Sequence, residues 1–222
     1  MATSEKIIQL KQLLAERFGS QSLPDEEKIH MTGLASVDEI GIVQATVTEI
    51  VSSGSRPGGV LLLYGLLHSA IREGSRIILI DGTDSFAPKG LPSDDLGRIL
   101  WVKCANSTEA LKSADLTIRD GNVPLVILWL TLNPLSELKR IPSTAWHRLQ
   151  MLAEKAATTV LIFSPHPQVG CARLRLSVGG DFPLSKLHAN RSELLPCVRL
   201  TVERWRIERR CHDETLRRSV RA

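Results

Sequence analysis

Five short apolar runs, separated by helical or turn-rich stretches, constrain this fold more than any other feature of the chain. They are VTEIV at 47–51, RIILID at 76–81, ILWVK at 99–103, PLVILWL at 124–130 and TTVLIF at 158–163. Each is apolar nearly throughout rather than in alternation, which is how strands buried on both faces read. Between them lie helical patterns. A leucine-rich stretch at 59–73 is stopped by Gly74, Asn106 and Glu109 have the spacing of a capping box for a helix reaching about Gly121, and Ser143 opens another helix. Buried strands alternating with helices predict an α/β fold, a mainly parallel sheet covered on both faces.

After SPHP at 164–167 the rhythm changes. The segments at 173–178 and 197–207 alternate apolar and polar residues, as half-buried antiparallel strands do. In the second, Val198, Leu200 and Val202 keep one phase while Trp205 and Ile207 take the other, so a bulge or twist is expected near Glu203. At the other end, Ile7, Leu10, Leu14 and Phe18 recur at helical spacing ahead of the polar connector GSQSLPDEEK. That stripe can pack on a partner or on its own domain. The organisation expected is an N-terminal helix and connector at 1–28, a core at 29–168, an antiparallel extension at 169–208 and a basic flexible tail at 209–222.

Composition narrows the setting. At 222 residues and 43% hydrophobic content, one domain with a sizeable core is expected. The four cysteines are scattered without a CxxC pair, which reads as free thiols in a reducing compartment. The start MATSEKIIQLKQ is not a secretory signal, and VLLLYGLL and PLVILWL are too short to span a bilayer. A soluble, cytoplasmic protein is expected.

The first strand feeds SSGSRPGG and then a helix, the place where nucleotide-binding proteins cradle phosphates. A working loop there is G-x-x-x-x-G-K-[ST], with a lysine for the phosphates and a hydroxyl for Mg²⁺. Here Gly54, Ser55, Arg56, Gly58 and Gly59 form the loop, and no lysine follows any of its glycines. The scaffold is shaped for a nucleotide and stripped of the chemistry.

The ordered series ATVTEIVSSGSRPGGVLLL, REGSRIILIDGTDSFAP, PLVILWL and TTVLIFSPHP resembles the RecA-type recombinase core. With the opening MTGLASVDEI it is more similar still to the shorter ImuA-type proteins, accessory factors of SOS mutagenic repair. The resemblance implies a RecA-like core of mainly parallel strands with flanking helices and a small antiparallel C-terminal extension. It also places this chain's residues on the family's working positions. Gly58 matches the phosphate lysine and Gly59 the Mg²⁺-binding threonine. Thr83 matches the water-activating glutamate, with Asp84 adjacent. Trp129 matches an acidic Mg²⁺ partner, although an indole is a donor only. His166 matches the γ-phosphate-sensing glutamine. Since phosphoryl transfer is mostly positioning and charge stabilisation, losing these groups together implies a pseudo-ATPase. No cofactor is expected, and any ATP affinity through Arg56 should be weaker than ~1 mM.

Other chemistries find less support. The six histidines form no H-x-x-x-H pair, and His68, on an apolar helix, reads as a core or half-buried residue. Cys104 reads as a buried small residue, and Trp101 and Trp129 as core. The charge excess of +4 lies toward the C-terminus, where seven arginines fall between Arg204 and Arg221. Arg173, Arg175, Arg199, Arg204, Arg206, Arg209 and Arg210 are the candidate DNA-phosphate contacts. The expected function is a non-catalytic accessory protein of DNA damage response and translesion mutagenesis. Its expected partners are RecA, an error-prone polymerase complex or DNA, with self-association through the N-terminal helix. The alternatives are a nucleotide-binding regulator and a divergent DNA-dependent ATPase that takes its lysine from elsewhere, Lys89 being the nearby candidate.

Overall fold

The computed structural model describes residues 29–206 apart from 31, 33, 53–57, 92–95 and 187. The N-terminal stripe, Gly54, Ser55 and Arg56 of the loop, and Arg209 and Arg210 of the tail therefore lie outside the described residues.

Two short strands, β1 (Ile29–His30) and β2 (Ile42–Val43), pair antiparallel around the single-turn helix α1 (Ala35–Asp38). The apolar runs then become strands in the order expected. β3 (Val47–Val51) precedes α2 (Gly58–Arg72), and β4 (Ile77–Asp81) is followed by β5 (Ile99–Lys103). Next come α3 (Ser107–Asp120), β6 (Leu125–Trp129), the short α4 (Leu135–Leu138), α5 (Ser143–Ala156) and β7 (Thr159–Ser164). The chain continues through β8 (Leu174–Gly180), the single turn α6 (Arg191–Leu194) and β9 (Val198–Trp205). The main sheet has seven strands in the order β5-β4-β6-β7-β3-β8-β9. All its pairings are parallel except β8 with β9.

Strand periodicity divides the core between the two faces. Leu125, Ile127 and Trp129 of β6 point toward α2 and meet Leu62, Leu66 and Phe163. Val126 and Leu128 point the other way, toward Ala110, Ala114 and Ile118 of α3 and Trp146 and Leu149 of α5. Each fully buried Leu, Ile or Phe contributes ~1.5–3 kcal/mol. The large buried side chains on both faces explain why β3, β4, β6 and β7 carry no polar alternation, whereas β5, at the edge of the sheet, is only partly buried.

Helix ends follow local chemistry. Asn106 Oδ1 accepts from the Glu109 amide at 2.9 Å, while Glu109 Oε2 reaches back to the Ala105 amide at 2.9 Å, one residue earlier than a reciprocal capping box would place it. Gly121 (φ +70) closes α3, and Gly74 (φ +82) follows the end of α2, both in the left-handed region that favours glycine.

One expectation is corrected. The segment at 173–178 pairs antiparallel with the last strand, as expected, but it is not half-buried at the margin of the core. β8 joins the core sheet in parallel beside β3 and is buried along most of its length, and only β9 is antiparallel. The alternation in RLRLSV misled because Arg175, which looks like a solvent-facing position, is buried. The irregularity near Glu203 is present: Arg175 faces Arg204 and Leu176 faces Val202, leaving Glu203 without an opposite residue.

Candidate functional site

Because β3, β4, β6 and β7 run parallel, their carboxyl ends gather at one edge of the sheet, together with the N-terminus of α2. In open α/β sheets this is where ligands bind. The sheet brings Gly58, Gly59, Thr83, Trp129 and His166 to that edge, although they are scattered over more than a hundred residues of sequence.

The immediate surroundings of Gly58 and Gly59 are crowded. A Cβ on Gly59 would sit 2.1 Å from Ser52 Oγ and 2.6 Å from Ser52 Cβ, with Trp129 Cη2 at 4.0 Å. A Cβ on Gly58 would meet Val178 Cγ1 at 3.0 Å and the Gly179 carbonyl at 3.3 Å. Ser52 is 2% exposed, and its amide donates to the Ser164 carbonyl at 2.8 Å, so the residue is fixed by the sheet. Turning its hydroxyl away would leave the Cβ overlap in place.

Trp129 is buried at the end of β6 and tilts against Phe163, ring centroids 5.2 Å apart. Its indole Nε1 donates to Ser85 Oγ at 3.1 Å, and Ser85 Oγ lies 3.2 Å from Asp81 Oδ1. Asp81 is fully buried and also accepts from the Thr83 amide at 3.3 Å and the Phe86 amide at 2.6 Å. This carboxylate is occupied in shaping the turn after β4. Asp84 adopts φ +52 and pairs with Lys103 at 3.1 Å in solvent. Mg²⁺ held on a nucleotide needs oxygen ligands. Among the described residues, those nearest a Cβ on Gly59 are Ser52 and the Trp129 ring, which together offer one hydroxyl oxygen and no carboxylate to a Mg²⁺–nucleotide.

Among the described residues, the buried Thr83 Oγ1, Thr131 Oγ1, Asn133 Oδ1 and His166 Nδ1 at this edge have no hydrogen-bond partner. Asn133 is otherwise anchored, its Nδ2 donating to the Gly82 carbonyl at 3.0 Å. Among the described residues no cluster of three or more His, Cys, Asp or Glu side chains could hold a metal ion.

The candidate DNA contacts separate into two groups. Arg199 and Arg206 are exposed, and Arg204 and Arg173 are half-buried. Arg204 Nη1 donates to the Gly170 carbonyl at 3.2 Å, and the Arg206 amide to the Arg173 carbonyl at 2.7 Å. Arg175 departs from the expectation. It is buried, and its Nε donates to Glu49 Oε2 at 2.6 Å while a terminal nitrogen donates to the Val169 carbonyl at 3.1 Å. Glu49 Oε1 takes the Ser164 hydroxyl at 3.0 Å and the Gln168 and Val169 amides at 2.7 and 3.0 Å. A buried carboxylate must be paired and hydrogen-bonded, and Arg175 provides the charge. It is committed inside the sheet and is not a surface contact.

Sequence reasoning missed both Ser52 and the Glu49–Arg175 pair. A charge inside the β-branched run VTEIV was a usable signal that Glu49 needed a partner, but nothing in the chain pointed to a residue 126 positions away. His68 is also corrected, since it is exposed. Residues 60, 64, 68 and 72 lie on one line of α2, and Val60, His68 and Arg72 are its exposed positions. Cys104 is buried as expected, 3.7 Å from Ser113 Oγ, and burial raises its thiol pKa, which disfavours the nucleophilic thiolate. Trp101 is half-buried and packs edge-on against Phe86 at 5.3 Å, and no helix among the described residues is long and apolar enough to cross a membrane.

No family model and no curated protein matches the chain. Among solved structures 371 chains do, including the RadB recombinase, at a TM-score of 0.58 and 18% identity over 80% of this chain and 90% of that one. At that identity the likeness is one of fold, and the fold of this chain is that of a RecA-like core.

Proposed function

We propose that this chain is a RecA-like protein that acts by binding rather than by turnover, an accessory factor of DNA damage response resembling the ImuA type. The observation carrying this reading is the start of α2. Gly59 is packed on Ser52 so closely that the threonine of a working loop has no room there, and the Trp129 ring borders the same glycine. Thr83 at the end of β4 adds a hydroxyl, not a carboxylate, at the position matching the water-activating glutamate. Its partners on this reading are a RecA filament, an error-prone polymerase complex or DNA.

Phosphate release in the presence of Mg²⁺, ATP and single-stranded DNA tests the reading, with no turnover above background expected. Turnover that is stimulated by DNA and lost in Asp84→Ala would overthrow it in favour of a divergent ATPase. Calorimetry separates the remaining alternative: micromolar ATP binding abolished by Arg56→Ala would make the protein a nucleotide-binding regulator.

A further inference from the structure

A groove of about 610 Å³ runs along α2 on the side away from the sheet. Its apolar lining comes from Leu34, Leu61, Tyr64, Leu91 and Leu195. Gly65 lies between two of them, where a Cβ would sit 3.0 Å from Leu195 and 3.1 Å from Leu34, so the glycine lets both leucines close on the helix. The rim is charged. Arg191 lies over the Tyr64 ring at 4.0 Å, and Arg72 and Glu73 stand at the end of α2.

The beginning of the described chain meets this groove. Leu34 lines it, and the described chain begins at Ile29, five residues earlier. The 28 residues that precede Ile29 join the described chain at that point. They carry the stripe Ile7, Leu10, Leu14 and Phe18, followed by a ten-residue connector, 19–28, which extended would reach roughly 33–36 Å. Asp25, Glu26 and Glu27 of the connector are opposite in sign to Arg72 and Arg191.

We propose that residues 4–18 of the same chain dock their apolar stripe in this groove along α2, with the acidic connector against Arg72 and Arg191. Docking covers an apolar surface next to the helix that begins at the candidate site. It does so in cis because the tether holds the segment at a high effective concentration, in the millimolar range for a short flexible linker. The inference stands independently of whether the protein turns over nucleotide.

Cross-linking decides it. Ser69→Cys places a thiol in the groove, combined with Leu10→Cys, Leu14→Cys or Phe18→Cys in turn, in a Cys197→Ser/Cys211→Ser background that leaves only the buried Cys104 and Cys171. A short bismaleimide should give an intrachain cross-link from at least one of the three positions, in a yield independent of protein concentration. Leu10→Glu/Leu14→Glu in the same background should abolish that cross-link and increase anilinonaphthalene sulfonate fluorescence, with far-ultraviolet circular dichroism unchanged. An interchain product that grows with concentration would assign the groove to a second copy and overturn the proposal. Absence of a cross-link from all three positions overturns it as well.

Discussion

The contact between Ser52 and Gly59 is a local exchange of volume, and it can be measured as one. Ser52 holds a side chain where it lies against the first turn of α2, and Gly59 gives up its own. Gly59→Ala should therefore destabilise the protein by ~1–3 kcal/mol, the usual cost of overpacking. Adding Ser52→Gly should recover part of that loss, because the two sites share one volume; the coupling expected from a double-mutant cycle is ~0.5–3 kcal/mol. Urea denaturation of the four proteins reads it, and strictly additive losses would show that Gly59 is constrained by something other than Ser52. The same overlap makes Gly58→Lys/Gly59→Thr ineffective as a repair of ATP hydrolysis, since Ser52 stays in the way and Trp129 contributes no oxygen. A phosphate-release assay on that double variant should stay at background.

Among the elements, the pair linking β3 to β8 bears most on how the carboxyl edge is built. Glu49 and Arg175 sit in register on neighbouring strands, and Glu49 also holds the Gln168 and Val169 amides of the turn after β7, the turn that includes His166. Removing one member leaves the other charged and unpaired in the interior, at a cost of ~3–5 kcal/mol. Arg175→Ala should accordingly lower Tm by roughly 6–20 °C, at about 2–4 °C per kcal/mol for a domain of this size. Arg204→Ala/Arg206→Ala should leave Tm nearly unchanged, because Arg206 is exposed and Arg204, only half-buried, gives up one exposed hydrogen bond. Thermal unfolding by calorimetry compares the two, and equal small shifts would show that the buried pair contributes little. The contrast also shows what the sequence could carry. Strand order along the chain, helix limits and the Glu203 bulge were legible because they follow from periodicity and capping within a few residues. Arg175 was misread because its period places it like a surface residue, while its partner is distant in the chain. His68 departs from the expectation because Val60, His68 and Arg72, on one line of an otherwise apolar helix, are exposed. Ser52 was invisible for another reason: a clash with an atom that glycine lacks leaves no mark on composition or pattern.

At the scale of the whole molecule, the candidate DNA contacts that remain accessible belong to the last two strands and their immediate flanks, and in sequence they are followed by the basic tail. Arg199, Arg204 and Arg206 are on or just after β9, Arg173 precedes β8, and a further five arginines follow Arg206 between Arg209 and Arg221. If this end meets DNA phosphates, affinity must fall with salt, each neutralised phosphate adding a slope of roughly 0.7–0.9 in log K against log salt. Deleting residues 209–222 should weaken binding to all sequences alike and flatten the slope, and Arg204→Ala/Arg206→Ala should do the same to a smaller extent. Arg175 must be left intact in such a series, since its loss would disturb the sheet and imitate a binding defect. Fluorescence anisotropy with labelled single- and double-stranded DNA across a salt series makes the measurement. With a net charge of only +4, affinity should be no better than micromolar near physiological salt. If the truncated chain binds as tightly as the whole, or neither binds at low salt, the basic end does not contact DNA. An accessory role would then have to act through protein partners.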